Sequence, residues 1–408
     1  IYYCITFKYF KKNMLRTLKA FDLKDKKILM RVDFNTPLKD NKVSDNFRIK
    51  STLPTIKTCI ESGAALTLMS HVGRPNGIHD NKLSLMPMGE ELASLLQMPI
   101  KFSNDCVSQD AFDTSLGLKP GEIHLLENLR FHDSEELNES NFAFKLAKHG
   151  QIFINDAFGT SHRNHASNIG VLSYFKHYGI GWLMDKELNF LDSFMRKPKK
   201  PLVLILGGAK VSSKIDLIDK FIDKSDHILI GGGMSFTFLK ARGKEVGGSL
   251  VDNSMLSVAK KLLKKALDNN VQIHLPEDVL CSESISSPKV IGTFNVNEIS
   301  SKLMGLDIGP KTVKKFKRVL KESKTVVWNG PLGLFENKNF ETGTRDIANF
   351  LSEVIPEDVK IIIGGGDTAA ALSKFNLINK MTHVSTGGGS SLELLSGKPL
   401  PAIKALEI

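Results

Sequence analysis

The 408-residue sequence has few cysteines and no long hydrophobic run. Its four cysteines, Cys4, Cys59, Cys106 and Cys281, are scattered and form no CxxC pair, which is typical of a reducing compartment and of a protein without structural zinc. The longest apolar stretches, such as PLVLILGGA, are broken by glycine well short of the roughly 18 residues that a membrane span needs. These absences argue against a secreted disulfide scaffold and against a membrane-spanning helix.

Two common signatures of nucleotide-binding proteins are also missing. No Gly-Lys pair is followed by Ser or Thr, so the sequence contains no P-loop. The dinucleotide fingerprint has one loose match at Gly364, Gly366 and Ala369, but the strand that should follow ends in VSTGGG instead of an acidic residue. A nucleotide-dependent dehydrogenase therefore stays a weak alternative, which NADH binding would distinguish.

Basic residues outnumber acidic ones, 55 to 44, and the net charge is +11. This charge suits an anionic partner, although most lysines, as in KKLLKK, fit solvated helix faces. A basic nucleic-acid binding protein is the second alternative, but the sequence offers no aromatic stacking platform and no basic arm. The hydrophobic content of 41% indicates a globular chain, and the length predicts two domains.

Short apolar runs alternate with amphipathic stretches along the chain, a pattern that predicts βαβ units around parallel sheets. The stretch 184–200 is helical until Pro198 and Pro201 and predicts a connector between two lobes. The predicted strands are 27–32, 64–70, 123–126, 152–155, 202–206, 227–230, 271–275, 325–328, 361–364 and 383–386, and the predicted helices of the first half are 46–61, 87–97 and 139–149.

Charged residues follow the predicted strands of the first half. Ligands of open α/β sheets lie beyond the carboxyl ends of the strands, so these residues predict a pocket. Arginine binds phosphate and carboxylate groups bidentately, which favours a small anionic ligand. The arginines are Arg31, Arg48, Arg74, Arg130 and Arg163, accompanied by Asp33, Asn35, His71, His162 and His165.

Glycines follow the predicted strands of the second half, in LILGGAK, LIGGGMSF, IIIGGGDT and VSTGGGSS. Glycine turns that open helices allow main-chain N–H groups to approach phosphate, so they predict a nucleotide site. Lys210 and Lys214 would share a face if GGAKVSSK were helical, and Lys214 is the better candidate to reach a transferred phosphoryl group. Asp367 either holds a metal ion beside the phosphates or caps the helix that follows it.

Nine segments resemble the phosphoglycerate kinase family, in its order and across residues 14–408. They are RVDFN, SHVGRP, ENLRF, GTSHRNH, LGGAKVSSKI, GGGMSFTFL, VWNGPLGLFE, GGGDTAA and VSTGGGSSLELLSG. The resemblance implies reversible transfer of a phosphoryl group from 1,3-bisphosphoglycerate to ADP, with Mg²⁺ as cofactor, in a cytoplasmic monomer that closes a hinge. It also implies an α/β fold of two Rossmann-like three-layer α/β/α lobes with parallel sheets, whose C-terminal segment returns to the first lobe.

The resemblance assigns functional residues by position. The catalytic group would be Arg48, Lys214, Gly366 and Gly389, and the metal ligand would be Asp367. The phosphoglycerate site would contain Asp33, Phe34, Asn35, Arg48, His71, Val72, Gly73, Arg74, Arg130, His162 and Arg163. The nucleotide site would contain Gly208, Ala209, Lys210, Lys214, Gly232, Gly305, Asn329, Pro331, Glu336, Gly365, Gly366, Asp367 and Thr368.

Two features depart from the family pattern. Ser213 stands where many relatives carry aspartate before the catalytic lysine, and the leader 1–13 has no counterpart in the plain cytosolic enzyme. The leader is basic and short, and we interpret it as upstream translation, with a targeting presequence as the alternative. The expected domains are 14–185 for phosphoglycerate, a connecting helix at 186–200, 201–390 for the nucleotide, and a returning segment at 391–408.

Overall fold

The structure is a computed structural model that describes residues 15–286, 288–356 and 358–408, without the side chains of 192–196. The leader 1–13, with both of its interpretations, and Cys4 lie outside the described residues. The chain divides into two compact units, one made of the chain up to Asp192 together with Pro399–Ile408, the other of Ser193–Lys398. The remaining cysteines, Cys59, Cys106 and Cys281, are buried free thiols.

The first unit is built on a six-stranded parallel sheet in the order β5-β6-β4-β1-β7-β8. Its strands read as nearly continuous apolar runs because helices cover both faces of a parallel sheet. A separate antiparallel pair is formed by β2 and β3. The strands are β1 (Lys27–Arg31), β2 (Leu38–Lys39), β3 (Lys42–Val43), β4 (Ala65–Met69), β5 (Lys101–Ser103), β6 (Ile123–Leu126), β7 (Ile152–Asn155) and β8 (Tyr178–Ile180).

Helices follow most strands of this unit. Their apolar faces pack on the sheet, where Ile28, Leu66, Leu125 and Ile154 are buried in one core. The helices are α1 (Phe47–Glu61), α2 (Met86–Leu96), α3 (Gln109–Leu116), α4 (Asp133–Glu136), α5 (Ser140–Ala147) and α6 (Trp182–Arg196). The sequence boundary between the two units falls within α6.

The second unit also has a six-stranded parallel sheet, in the order β11-β10-β9-β15-β16-β17, and a three-stranded antiparallel sheet in the order β13-β12-β14. Its strands are β9 (Leu202–Leu206), β10 (His227–Ile230), β11 (Gln272–His274), β12 (Asp278–Ser282), β13 (Gly292–Asn295), β14 (Met304–Ile308), β15 (Thr325–Asn329), β16 (Lys360–Gly364) and β17 (His383–Val384). Its helices are α7 (Ile215–Ile222), α8 (Met234–Ala241), α9 (Leu256–Asp268), α10 (Pro310–Lys321), α11 (Thr342–Glu353), α12 (Gly366–Lys374) and α13 (Gly389–Leu395).

The last helix, α14 (Pro401–Leu406), belongs to the first unit although it follows the second in the chain. It packs near β8, and the Ala402 amide donates a hydrogen bond of 3.1 Å to the Ser161 carbonyl. Buried side chains at Ala402, Ile403 and Leu406 complete the contact. The core of the first unit is therefore assembled from two distant parts of the sequence.

The order of the strands places a switch point in each parallel sheet. Ranked along the chain, the six strands of the second sheet lie in the order 3-2-1-4-5-6, which is typical of nucleotide-binding doubly wound folds. The first sheet has the order 3-4-2-1-5-6. Ligands of such sheets lie where the order reverses, at the carboxyl ends of β1 and β7 and of β9 and β15. The prediction of two parallel α/β lobes is confirmed, and none of the described helices has the length and apolar character needed to cross a bilayer.

Candidate functional site

Asp33 and Arg48 form an ion pair beyond the carboxyl end of β1, at the switch point of the first sheet. Asp33 is buried, while Arg48 keeps about a quarter of its side chain exposed, 23%. Gly159, which follows β7, packs against both residues, since a Cβ there would overlap the Asp33 carboxylate. The ion pair therefore holds one Arg48 nitrogen and leaves the rest of the guanidinium partly open.

Arg163 lies in the loop after β7, close to the charges of Arg48, Arg74 and Asp33. Burial is the main cause that lowers its pKa, the charges of Arg74 and Arg48 lower it further, and Asp33 opposes them. Arg163 also donates to His162 Nε2 over 3.4 Å. Around Arg163, the positive charges of Arg74 and Arg48 thus stand against the negative charge of Asp33. An excess of positive charge of this kind favours binding of an anion.

His71 follows β4 and is buried beside these arginines. Its Nδ1 accepts a hydrogen bond of 3.0 Å from Arg31 Nη2. Burial holds the pKa of His71 well below its usual range, and the positive charges of Arg31, Arg163, Arg48 and His165 lower it further. The His71 ring is consequently neutral near pH 7.

Arg31 is only 1% exposed, which distinguishes it from Arg48, Arg74 and Arg163 of the expected pocket, whereas Arg130 is also buried. Arg31 Nε donates to Ser167 Oγ over 2.9 Å, Nη1 donates to the Val32 carbonyl, and Nη2 donates to His71. Each of the three guanidinium nitrogens of Arg31 thus already has a protein acceptor, so we expect Arg31 to support the site and not to contact the ligand.

Arg130 and Asn35 converge on Gly73, which has a positive φ of 64°. Arg130 Nη1 donates to the Gly73 carbonyl over 2.7 Å, and Asn35 Oδ1 accepts from the Gly73 amide over 3.0 Å. Arg130 Nε lies 2.9 Å from Glu136 Oε1. Arg130 Nη2 is buried and has no hydrogen-bond partner among the described residues. An incoming anion would satisfy this donor.

Phe34 and Val72 turn their side chains into the core. The Phe34 amide donates to Ser70 Oγ over 2.9 Å, and the Val72 carbonyl accepts from Asn128 Nδ2 over 2.8 Å. If these two residues take part in binding, they do so through the main chain.

Lys214 lies across the switch point of the second sheet. Its Nζ donates to the Gly207 carbonyl over 2.6 Å and to the Asn329 carbonyl over 3.1 Å, the residues at the ends of β9 and β15. The side chain is 9% exposed. Burial lowers the pKa of Lys214 to about 8, and the charge of Asp367 opposes that effect. Residues 212–214 form a short 3-10 turn, so the condition for Lys210 and Lys214 to share a helical face is not met.

Glycines allow the loops around Lys214 to approach one another. The Gly208 amide donates to the Pro331 carbonyl over 2.7 Å. Gly232 has a φ of 61°, and a Cβ there would lie 2.7 Å from the Gly208 nitrogen. A Cβ at Gly330 would overlap Lys214 Nζ. Side chains at these turns would push the loops apart and displace the lysine.

Asn329, Gly365 and Thr368 tie β15 to the start of α12. Thr368 Oγ1 accepts from the Gly330 amide over 2.7 Å. Asn329 Nδ2 points toward Gly365, whose φ is 96°, and a Cβ there would lie 2.9 Å away. This amide nitrogen is buried without a hydrogen-bond partner in the described part of the chain. It is a second donor that a bound anion would satisfy.

Asp367 is exposed in the first turn of α12. The N-cap of that helix is Gly365, so the structure contradicts the alternative in which Asp367 is the cap. Gly366, the first helical residue, faces open space, since no heavy atom of the described residues lies within 4 Å of where a Cβ would stand. Gly389 begins α13, whose Ser391 lies against Gly364 and shares a 2.6 Å hydrogen bond with the Ser385 hydroxyl.

The remaining expected nucleotide residues lie on other parts of the second unit or next to Gly208. Gly305 lies in β14 against the ring of Phe236 in α8, where any side chain would overlap the ring. Glu336 is exposed in the loop after β15. Ala209 and Lys210 are exposed after Gly208, and Ser213 Oγ donates to the Lys210 carbonyl over 3.1 Å.

Four residues that support these centres were absent from the predicted sites: Gly207, Gly330, Glu135 and Ser167. The two glycines stand inside the motifs LILGGAK and VWNGPLGLFE and were detectable there. Ser167 accepts from Arg31 and donates to the buried Glu135 carboxylate over 2.5 Å, and these two residues carry no sequence signal because their role depends on burial. Among the described residues, one group of three potential metal ligands lies together, Asp105, Cys106 and His132 in the first unit, and it does not include Asp367.

Comparisons with known proteins all point to one family. The family profile for phosphoglycerate kinase matches residues 18–398. The phosphoglycerate kinase of Chlorobium phaeobacteroides is 46% identical over 392 residues, which cover 96% of this chain and 99% of that protein. The phosphoglycerate kinase of Thermosynechococcus vestitus is 45% identical over 397 residues, covering 97% of this chain and 99% of the relative.

Solved structures give the same result. The phosphoglycerate kinase structure from Coxiella burnetii is 38% identical with a TM-score of 0.80, and the one from Pyrococcus horikoshii is 28% identical with a TM-score of 0.85. Each comparison covers 96% of this chain and 98% of the other. The family profile, the sequence relatives and the solved structures thus agree, and the chain belongs to the phosphoglycerate kinase family.

Proposed function

We propose how this chain divides the phosphoglycerate kinase reaction between its two units. The reaction is the reversible transfer of a phosphoryl group from 1,3-bisphosphoglycerate to ADP, which yields 3-phosphoglycerate and ATP in glycolysis. The first unit binds the phosphoglycerate and the second binds the nucleotide. Both substrates are small anions, so each unit has to provide fixed hydrogen-bond donors and positive charge.

The phosphoglycerate site consists of Arg48, Arg74, Arg130 and Arg163 with neutral His71. Two observations support this assignment: Arg130 Nη2 has no hydrogen-bond partner in the part of the chain that the structure describes, and Arg48 and Arg74 both act on Arg163. Guanidinium groups bind phosphate and carboxylate oxygens in pairs, which suits a ligand that carries both. Asp33 and Asn35 orient Arg48 and Gly73 within this site.

Lys214 carries the proposal for the nucleotide side. Its ammonium is buried at the β9–β15 switch point, and its two described hydrogen bonds go to carbonyl oxygens, so its charge is only partly balanced by Asp367. Such a cation is drawn toward a phosphoryl group that gains negative charge. The Gly-rich turns and the start of α12 supply main-chain donors for the other phosphate oxygens.

Asp367 fits the role of a Mg²⁺ ligand. Mg²⁺ in kinases takes one or two carboxylates and completes its coordination with substrate phosphates and water. An exposed carboxylate in the first turn of α12, beside the glycine turns, provides that single protein ligand. Bound Mg²⁺ would neutralise charge on the nucleotide phosphates.

The chemistry requires positioning and charge neutralisation but no covalent intermediate on the protein. A terminal β-phosphate oxygen of ADP attacks the acyl phosphate, and the carboxylate of 3-phosphoglycerate leaves. Arg48 and Lys214 stabilise the transferred group, and main-chain amides at Gly366 and Gly389 contribute further donors. The expected closure of a hinge stays a prediction. A monomeric state, which gel filtration would test, and a cytoplasmic location, which cell fractionation would test, also stay predictions.

A coupled assay tests the proposal. Purified protein with 3-phosphoglycerate, ATP and Mg²⁺ should form ADP, and EDTA should abolish turnover. Calorimetric titration should then show that Arg163→Ala weakens 3-phosphoglycerate binding. In a second titration, Mg²⁺ should increase the nucleotide affinity of Asp367→Asn less than it increases that of the unmodified protein. If Asp367→Asn left the Mg²⁺ dependence of nucleotide binding unchanged, the metal assignment would be rejected.

A further inference from the structure

The hydrogen bonds that hold Arg31 continue to a fully buried carboxylate, Glu135 in α4. Glu135 Oε2 accepts from the Ser167 amide over 2.9 Å, and Oε1 accepts from Ser167 Oγ over 2.5 Å. The Ser167 hydroxyl hydrogen is therefore used, and Oγ offers a lone pair to Arg31 Nε at 2.9 Å. Glu135, Ser167 and Arg31 thus form one buried chain that ends at His71, and we refer to these three residues as the relay.

The direction of these hydrogen bonds fixes the position of the proton on His71. A guanidinium group has donors and no acceptor, so Arg31 Nη2 donates and His71 Nδ1 accepts over 3.0 Å. In a neutral imidazole the remaining proton is then on Nε2. The groups facing the ring favour this neutral state, since Arg31, Arg163, Arg48 and His165 all disfavour a further positive charge.

We propose that Glu135 and Ser167 are positioning residues that act through Arg31 to present the Nε2–H of His71 as a hydrogen-bond donor to the phosphoglycerate. The inference rests on the proposed function, in which His71 belongs to the phosphoglycerate site. Without the Ser167 hydroxyl, Arg31 Nε loses its acceptor, and the bond from Nη1 to the Val32 carbonyl alone holds the guanidinium less firmly against the ring. His71 Nδ1 is then released, and the proton exchanges between the two ring nitrogens.

Glu135 also balances the charge of Arg31. Burial lowers the pKa of Arg31, while the charges of Glu135 and Asp33 oppose that effect. Glu135 further anchors the loop that carries Arg163, because its main-chain carbonyl accepts from the Ala166 amide over 2.9 Å. A substitution that keeps the shape of Glu135 and removes its charge therefore separates the electrostatic contribution from the anchoring of the loop.

The first measurement needs no substitution in the relay. With ¹⁵N-labelled histidine, the His71 signals are assigned among the 11 histidines by comparison with His71→Gln. The expected result near neutral pH is an unprotonated Nδ1 and a protonated Nε2. A proton on Nδ1, or a charged ring, in the unmodified protein overturns the proposal.

The second measurement uses Ser167→Ala and Glu135→Gln, so that one variant remains if the other does not fold. Both should shift the His71 nitrogen signals toward mixed tautomers and weaken 3-phosphoglycerate binding about tenfold, the usual effect of losing a hydrogen bond to a charged group. ADP affinity should stay the same. The matched control is Ser161→Ala, a buried hydroxyl of the same unit whose contacts are Ala157 O at 3.5 Å and Met184 Sδ at 3.7 Å.

The outcomes separate a positioning role of the relay from a merely structural one. If relay variants weaken 3-phosphoglycerate binding without changing the His71 tautomer, their role is only structural and the proposal is wrong. If His71→Gln binds 3-phosphoglycerate as tightly as the unmodified protein, the fault lies in the proposed function, because His71 is then not a ligand. A changed tautomer together with weaker binding, absent from Ser161→Ala, supports the relay.

Discussion

The two units place their proposed anion sites at equivalent points of similar sheets but build them from different groups. The first uses side chains, chiefly Arg48, Arg74, Arg130 and Arg163, and the second uses glycine turns around Lys214. Guanidinium groups reach a ligand from a distance and recognise its shape, whereas main-chain donors require the backbone itself to approach. The side-chain site consequently needs supporting residues behind it, and the main-chain site needs the absence of side chains.

The same contrast is seen in the residues that lie next to each site. Behind the first site lie Glu135, Ser167 and Arg31, all fully buried or nearly so. Around the second site, the close contacts are those of the glycine turns at Gly207, Gly208, Gly232 and Gly330 with one another and with Lys214. Substitutions should therefore act by different routes in the two units, and each unit should affect mainly its own substrate.

The largest effect is expected from Lys214→Ala. Loss of a cation that acts on the transferred phosphoryl group should lower kcat by about 10²–10³, with little change in ADP affinity. Steady-state kinetics and calorimetry would check this, with the exposed Lys210→Ala as the comparison, for which a smaller loss is expected. A rise in KM with kcat intact would assign Lys214 to ground-state binding. Lys214 would then act in the same way as the arginines of the first unit.

Gly232→Ala should destabilise the second unit by about 3 kcal/mol, because a positive φ strains alanine and the new methyl group meets the Gly208 main chain. Gly243→Ala is the matched control, since its φ is 78° and no heavy atom lies within 4 Å of a Cβ there among the described residues. It should cost about 1–2 kcal/mol from strain alone.

The chain offers a direct way to measure these changes unit by unit. Its two tryptophans, Trp182 and Trp328, lie one in each unit. Urea unfolding of Trp182→Phe variants reports on the second unit, and unfolding of Trp328→Phe variants reports on the first. Equal destabilisation by Gly232→Ala and Gly243→Ala would show that close approach of the loops contributes nothing.

Arg163→Ala should weaken 3-phosphoglycerate binding at least about tenfold while leaving ADP binding unchanged. The physical reason is the loss of a charged donor from a site in which Arg74 and Arg48 face the same region. Arg318→Ala removes the same charge from an exposed position of α10 and should change neither affinity. Calorimetric titration with each substrate would decide, and unchanged 3-phosphoglycerate binding would remove Arg163 from the site.

The last effect, which is small for each histidine and pH unit, concerns the acid stability of the first unit. His124 and His149 are joined through Ser115 Oγ, at 2.9 Å and 2.7 Å, and burial lowers the pKa of each to about 4. Unfolding returns them to the ordinary value near 6.5, so the unfolded chain binds more protons between these values. Stability should fall by about 1 kcal/mol per histidine for each pH unit below 6.5.

Asp156 opposes this trend, because burial raises its pKa to about 7 and its neutral form is favoured as the pH falls. The contribution of one histidine is therefore measured as a difference. In Trp328→Phe protein, adding His149→Asn should flatten the dependence of unfolding free energy on pH between 6.5 and 5. An identical slope with and without His149 would show that this residue does not titrate on unfolding.

The sequence was sufficient for the central strands of both sheets. Ile123–Leu126, Ile152–Asn155, Leu202–Leu206 and His227–Ile230 agree with prediction residue for residue, because strands buried on both faces are continuous apolar runs. The edge strands Lys101–Ser103 and Tyr178–Ile180 and the antiparallel sheet were not predicted. They are short, or polar on an exposed face, and such segments resemble loops.

The same limit applies to the sites. Motifs identified residues near the strand ends, since glycine turns and arginines there have a recognisable chemistry. They could not distinguish Arg31, which is enclosed, from Arg163, which is half-buried, because both stand in similar charged segments. Glu135 is even less visible, since it stands in an acidic stretch that looks solvent-exposed and becomes a buried acceptor only through tertiary packing.

The return of Pro399–Ile408 to the first unit has a consequence for synthesis. These residues leave the ribosome after all of Ser193–Lys398, so the unit that begins first can be completed only last. Its partner is contiguous and has every residue it needs before translation reaches position 399. The first unit therefore cannot complete its fold until the whole of the second unit has been synthesised.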